Sequence, residues 1–159
     1  MPELPSLGPR GEGWVVLQIV LLAVVIIAGL ASDGAWTGPL ASLTSPLGLA
    51  LLLAGGLLAG RGILDLGRNL TPVPRPREDA RLVVTGAYAL VRHPLYGGLA
   101  LGALGWSLLV ASPLSLLLVA VLAIVLDLKS RREEAWLRER YPGYPAYMAR
   151  TRRLIPWLY

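Results

Sequence analysis

Cysteine is absent from the 159-residue sequence, and histidine occurs once, at position 93. The first absence excludes disulfides, thiolate-bound zinc, iron–sulfur clusters and a cysteine nucleophile, and the second excludes a multi-histidine metal site within one chain. Charge is scarce as well. Only 16% of residues are charged, against about a quarter in ordinary soluble domains. The deficit sits in a few long apolar runs, which excludes disorder, a coiled coil and a nucleic-acid-binding tail. With 55% hydrophobic residues and a mean hydropathy of +0.59, the composition predicts a small integral membrane protein. The length predicts one domain, residues 1–159, without a separate soluble module.

Four apolar segments predict an all-α fold with four transmembrane helices, at about 14–31, 47–66, 96–111 and 114–128. The first carries no charge and matches the roughly 30 Å of a bilayer core as a helix. A signal peptide is the competing reading, but Glu3 and Glu12 against a single Arg10, and the length of the run, favour a span. The second ends with Arg61 and Asp65 four apart, side by side on a helix where it leaves the bilayer. Residues 32–46, with Asp33, Trp36 and Pro39, read as a short external loop. Ser112-Pro113 breaks the long run from Gly97 to Leu128 into a tight helical hairpin, because proline lacks a backbone donor and disfavours helix before it. Neither proline nor glycine occurs between Leu114 and Tyr141, so the second arm is expected to continue as one helix into the cytosol.

The basic residues, 15 against 10 acidic ones, give orientation. Arg10 precedes the first span. One group, from Arg61 to Arg92, lies at or after the end of the second, and another, from Lys129 to Arg153, follows the fourth. The two opposite loops have none. The positive-inside rule then places both termini and segment 67–93 in the cytoplasm of a multi-pass membrane protein. Alternate prolines in TPVPRP, residues 71–76, favour an extended arm.

Polar detail concentrates at the cytoplasmic end. His93 precedes Pro94, where a helix should enter the membrane; a helix start presents unsatisfied N–H donors and attracts anionic groups. His93 as a plain interfacial residue and Arg92 as a topological anchor is the alternative. Lys129 and Glu133 are four apart and share a helical face, whereas the adjacent Glu133 and Glu134 cannot. A carboxylate with aromatic rings such as Tyr141, Tyr144 and Tyr147 would suit a cationic cofactor through charge pairing and cation–π contact. A solvated charged face and an interfacial aromatic cluster are the plainer readings.

The segments GAYALVRHPLYGG, SRREEAWLRERY and YPAYMARTRRLIP, in that order, resemble the isoprenylcysteine carboxyl methyltransferase family, whose relatives include the phospholipid methyltransferases. The resemblance covers roughly residues 60–156. It implies an S-adenosylmethionine-dependent membrane methyltransferase with a cytosol-facing cofactor region, about 67–95 and 129–156, closed by a C-terminal cap. A lipidic or small hydrophobic acceptor would enter from the bilayer. Carried over residue by residue, Ala80, Arg81, Leu82, Val83, Tyr88, His93, Pro94, Leu95, Tyr96 and Glu133 would line the cofactor site. Lys129, which stands where the family pattern has arginine, would contact the acceptor and act with Glu133 in catalysis. Membrane lipids are the expected surroundings and nucleic acid is not an expected partner. A membrane reductase of the sterol-reductase type and a non-catalytic membrane scaffold are the alternatives; the short chain, with no further nucleotide-binding stretch, argues against the reductase.

Overall fold

A computed structural model describes residues 4–159; Glu3, part of the charge balance before the first span, lies outside the described residues. The described chain is helical: α1 (Glu12–Leu30), α2 (Gly38–Leu66, continued by a single 3-10 turn over Gly67–Asn69), α3 (Ala87–Leu90), α4 (Pro94–Leu109), α5 (Pro113–Arg140) and α6 (Tyr144–Met148). It contains no strand, only an isolated bridge between Val91 and Arg152. Three helices, α1, α2 and α5, are long and apolar enough to cross a membrane, whereas α4 is apolar but shorter, at 16 residues. Large apolar side chains such as Val16, Ile27, Leu57, Leu64 and Leu117 are exposed along them.

The loop expected at 32–46 is shorter than that, because α2 begins at Gly38. Pro39 sits in the first turn, where a missing N–H costs nothing. Pro46 is accommodated inside the helix, and Trp36 Nε1 donates to Thr44 Oγ1 at 2.8 Å, tying the loop to the first turns. Ser112 caps α5 by accepting from Ser115 N at 3.2 Å, with Pro113 at the start of the helix. From there α5 runs unbroken to Arg140, with no loop between Asp127 and Glu133.

Glycines set the tightest packing. Gly48, Gly55 and Gly62 recur every seven residues and form the buried stripe of α2. They face Gly98, Gly102 and Gly105 of α4 and the Pro94–Leu95 start of that helix. A Cβ built on Gly55 would lie 2.5 Å from Gly98 O and 2.6 Å from Gly102 N. Such small-residue stripes let helix backbones touch where lipid supplies no hydrophobic drive for association. On its other side α4 meets α1 and α5 around Val25, Ala103, Val119, Leu122 and Leu126. Buried serines add polar ties: Ser107 Oγ and Ser115 Oγ are 2.6 Å apart, and Ser115 Oγ donates to Val25 O at 3.0 Å. Helices α1 and α2 share no packing contact with each other.

Candidate active site

The site forms where α4 begins and the apolar part of α5 ends. His93 is the residue immediately before α4, and Pro94 opens the helix. Proline there fixes φ for the first turn and restricts the residue before it, so the His93 ring is presented at a defined angle. It stacks on Tyr96, with ring centroids 5.4 Å apart and planes within 7° of parallel. Its two nitrogens lie between two carboxylates, Nδ1 at 3.7 Å from Glu133 Oε2 and Nε2 at 3.4 Å from Glu134 Oε1. Tyr96 Oη donates to Glu133 Oε2 at 2.7 Å. One turn back along α5, Lys129 Nζ sits 4.6 Å from the Tyr96 ring centroid and donates to Gln18 Oε1 of α1 at 2.6 Å.

The adjacent glutamates part company, as one residue of helix rotation requires. Glu133 borders the cavity, while Glu134 is buried behind it. Arg92 Nε reaches Glu134 Oε1 at 2.7 Å, and Arg153 Nη2 reaches Oε2 at 3.3 Å. Arg92 also donates to the carbonyls of Met148 and Thr151. Arg92 N donates to Arg152 O at 2.8 Å and His93 N to Arg153 O at 3.0 Å. The C-terminal segment is thereby laid directly over the start of α4. At Gly97 the Leu154 carbonyl occupies the space a side chain would need. Gly86 is likewise required, with φ +63° and the Asp65 carboxylate against its α-carbon, where that carboxylate accepts from Ala87 N at 2.7 Å.

These elements enclose a cavity of about 460 Å³. Of the residues expected at the cofactor and acceptor sites, Ala80, Arg81, Leu82, Val83, Tyr88, His93, Leu95, Tyr96, Lys129 and Glu133 all border it. Pro94 does not; its ring is packed against Gly62 of α2. Sequence reasoning left out Gln18; Asn69 and the proline arm, which contributes Thr71–Pro74 and Pro76 to the wall, lie in the cofactor region expected at 67–95 but were not named singly. Gln18 had a signal, as the one polar side chain in the run from Trp14 to Ala31 apart from indole and backbone groups. Arg92, for which a plain topological anchor is the alternative reading, borders the cavity and holds Glu134.

Local ties hold the walls. Asn69 Oδ1 accepts from Arg81 N at 3.0 Å, and Tyr141 Oη donates to Ala80 O at 2.7 Å. Arg75 N and Nη1 donate to Arg10 O and Pro9 O, both at 3.3 Å, pinning the proline arm to the N-terminal segment. Tyr147 Oη donates to Tyr88 O at 2.6 Å and packs edge-on against Tyr144. Burial pushes the Tyr88 and Tyr144 phenols well above their ordinary range and Tyr147 up to about 12, so all three stay neutral donors at physiological pH. Tyr147→Phe should leave the Tyr88 carbonyl without its donor and lower stability by about 1–3 kcal/mol. Chemical unfolding in detergent, compared with wild type, measures that loss.

The phospholipid methyltransferase family model matches residues 43–143, from the N-terminal part of α2 through the end of α5. The chain belongs to this family. Within the family's span lie the His93–Tyr96 start of α4 and the Lys129–Glu133 turn of α5. The chain is 31% identical over 150 residues to the cobalt-zinc-cadmium resistance protein CzcN of Cupriavidus metallidurans, covering 91% of this chain and 62% of that relative. It is 32% identical over 79 residues to protein-S-isoprenylcysteine O-methyltransferase B of Arabidopsis thaliana, covering 48% of this chain and 40% of the relative. A probable protein-S-isoprenylcysteine O-methyltransferase of Oryza sativa is 28% identical over 120 residues, 72% of this chain and 62% of the relative. The chain thus spans at most about three fifths of the length of these relatives. This phospholipid methyltransferase family member carries α1, and with it Gln18, outside the segment that the family model matches.

Proposed function

We propose that this chain transfers a methyl group from S-adenosylmethionine to a lipidic or small hydrophobic acceptor at the cytoplasmic face of a membrane. The observation that carries the reading is the turn of α5 on which Glu133 and Lys129 face one cavity, with Tyr96 and His93 opposite, at the end of the apolar helices. Four crossings, with α4 in a locally thin part of the bilayer, would put both termini and the cavity on the side of the arginines. The region acts as one domain.

The residues present suit the cofactor. Its volume falls in the range of small-molecule sites. Glu133 accepts from Tyr96 through one oxygen, and the other makes no hydrogen bond among the described residues, which suits an ammonium. The backbone groups of Leu82 and Val83 are likewise unpaired among the described residues, an open edge of donors and acceptors for a heterocycle. The Tyr144 hydroxyl is buried without a partner among the described residues. When bound, S-adenosylmethionine supplies an electrophilic methyl on a sulfonium. The protein's own task is then to align, and to keep water out. Tyr96 fixes the Glu133 carboxylate, His93 stacks on Tyr96, and the Leu154 carbonyl seals the start of α4. Leu95 and Leu99 of α4, with Ile63 and Leu66 of α2, make an apolar wall. The acceptor would reach the cavity along this wall. Alignment of this kind is worth up to about 7–11 kcal/mol in intramolecular models.

Calorimetric binding of S-adenosylhomocysteine to the purified chain in detergent tests this reading. Glu133→Ala should weaken binding by about 1.5–3 kcal/mol, the worth of a hydrogen bond to a charged group, with the fold intact. A well-folded wild type that binds no S-adenosylhomocysteine, in detergent and again in lipid nanodiscs, would reject it.

A further inference from the structure

Lys129 is an unusual buried cation. Its side chain is 2% exposed, yet it forms no ion pair among the described residues. Its ammonium rests on the Tyr96 ring and on the amide oxygen of Gln18. Glu133, one turn further along, is engaged by Tyr96 instead. A buried charge with no opposite charge in contact is costly, and the usual remedy is a paired opposite charge. Here the remaining open side is the cavity, which both Lys129 and Gln18 border.

Gln18 fixes what that side presents. Because its oxygen is taken by Lys129, its –NH₂ must point the other way, and those two donors have no partner among the described residues. A lysine has three donors and no acceptor, and a carboxamide used at its oxygen offers only donors. The pair therefore shows the cavity donors alone, one set of them charged. Such a clamp accepts an anionic oxygen or sulfur and repels an ammonium. Helix α1, outside the segment that defines the family, thus reaches into the site through its one amide side chain.

We propose that Gln18 is a positioning and specificity-determining residue: it holds Lys129 so that the two form a donor-only clamp for an anionic group on the acceptor. This rests on the methyltransferase reading above and adds the charge class of the acceptor to it.

The probes are dodecanoate and dodecyltrimethylammonium, matched in tail and opposite in head charge. Their binding is read by thermal shift on the full chain in nonionic detergent with S-adenosylhomocysteine present. Wild type should bind dodecanoate in preference to dodecyltrimethylammonium. Gln18→Leu should weaken dodecanoate about tenfold while S-adenosylhomocysteine affinity, measured separately by calorimetry, stays unchanged. Gln18→Glu places a carboxylate beside Lys129 and should abolish the preference. All the arginines remain in these variants, so a general attraction of acids to a basic surface would survive them. A merely structural Gln18 would alter stability without altering the charge preference.

Equal binding of the two amphiphiles to wild type, or a preference unchanged in Gln18→Leu, overturns the proposal. So does a loss of S-adenosylhomocysteine affinity in Gln18→Leu, which would assign the clamp to the cofactor. Absence of S-adenosylhomocysteine binding by folded wild type removes the methyltransferase reading, and the acceptor assignment with it.

Discussion

Gly55→Leu is expected to yield no stably folded protein. The first carbon of the new side chain would fall 2.5 Å from the Gly98 carbonyl and 2.6 Å from the Gly102 amide, and both obstacles are backbone. Backbone cannot rotate aside as a side chain can, so α2 and α4 must separate. Overpacking a well-fitted contact usually costs about 1–3 kcal/mol; here separation also opens the neighbouring contacts at Gly48 and Gly62, and at least about 3 kcal/mol is expected on the same scale. Gly56→Leu is the matched control. That position has nothing within 4 Å of a Cβ, and leucine improves helix propensity over glycine. Thermal melting and size-exclusion profiles in detergent should therefore separate two neighbouring, chemically identical substitutions completely. Similar melting of the two variants would refute the glycine-stripe account of the α2–α4 contact.

The second large effect is expected at Arg92→Met. This change leaves Glu134, 2% exposed, with only the longer contacts to Arg153 and the His93 ring, and strips the Met148 and Thr151 carbonyls of their donor. Removing one partner of a buried pair costs about 3–5 kcal/mol because the other charge stays behind in a poor solvent. The double variant Arg92→Met/Glu134→Met should cost less than the sum of the two single changes, since it removes the stranded carboxylate together with its partner. Melting temperatures of the four proteins give the coupling directly. Strict additivity would mean that Arg92 and Glu134 do not act as a pair.

What could be read in advance, and what could not, follows from the distance over which each feature is encoded. The apolar runs, the Ser112-Pro113 break and the uninterrupted stretch to Tyr141 are local, and α1, α4 and α5 follow them closely. The start of α2 did not, because Pro46 reads as a helix boundary by local rules, whereas the helix carries it. The seven-residue recurrence of Gly48, Gly55 and Gly62 was present in the sequence as a signal, but its meaning depends on a partner stripe in α4. The same holds within the cavity. That Lys129 and Glu133 share a face follows from helical spacing, and that Glu134 turns away follows from adjacency. That Glu134 meets Arg92 and Arg153, or that Lys129 meets Gln18 across 111 positions, is set by which helices lie side by side. No spacing rule contains that information. The Val91–Arg152 bridge and the Leu154 carbonyl at Gly97 are of the same non-local kind.

The unbroken course of α5 makes it a lever. Ser115, tied to α1 and α4 at one end, and Lys129, at the cavity, are fourteen residues apart on the same rod, or about 21 Å at the ordinary helical rise. With Ser115 as fulcrum, a tilt of about 3° carries Lys129 sideways by about 1 Å over that rise. Lys129 and Glu133 cannot move independently of that swing, because no hinge separates them from the apolar arm. Displacements of about 1 Å are enough to change the rate of an aligned reaction a hundredfold, and helix tilt is what a bilayer adjusts when its thickness changes. Any change in the tilt of α5 would therefore carry both cavity residues with it as one body.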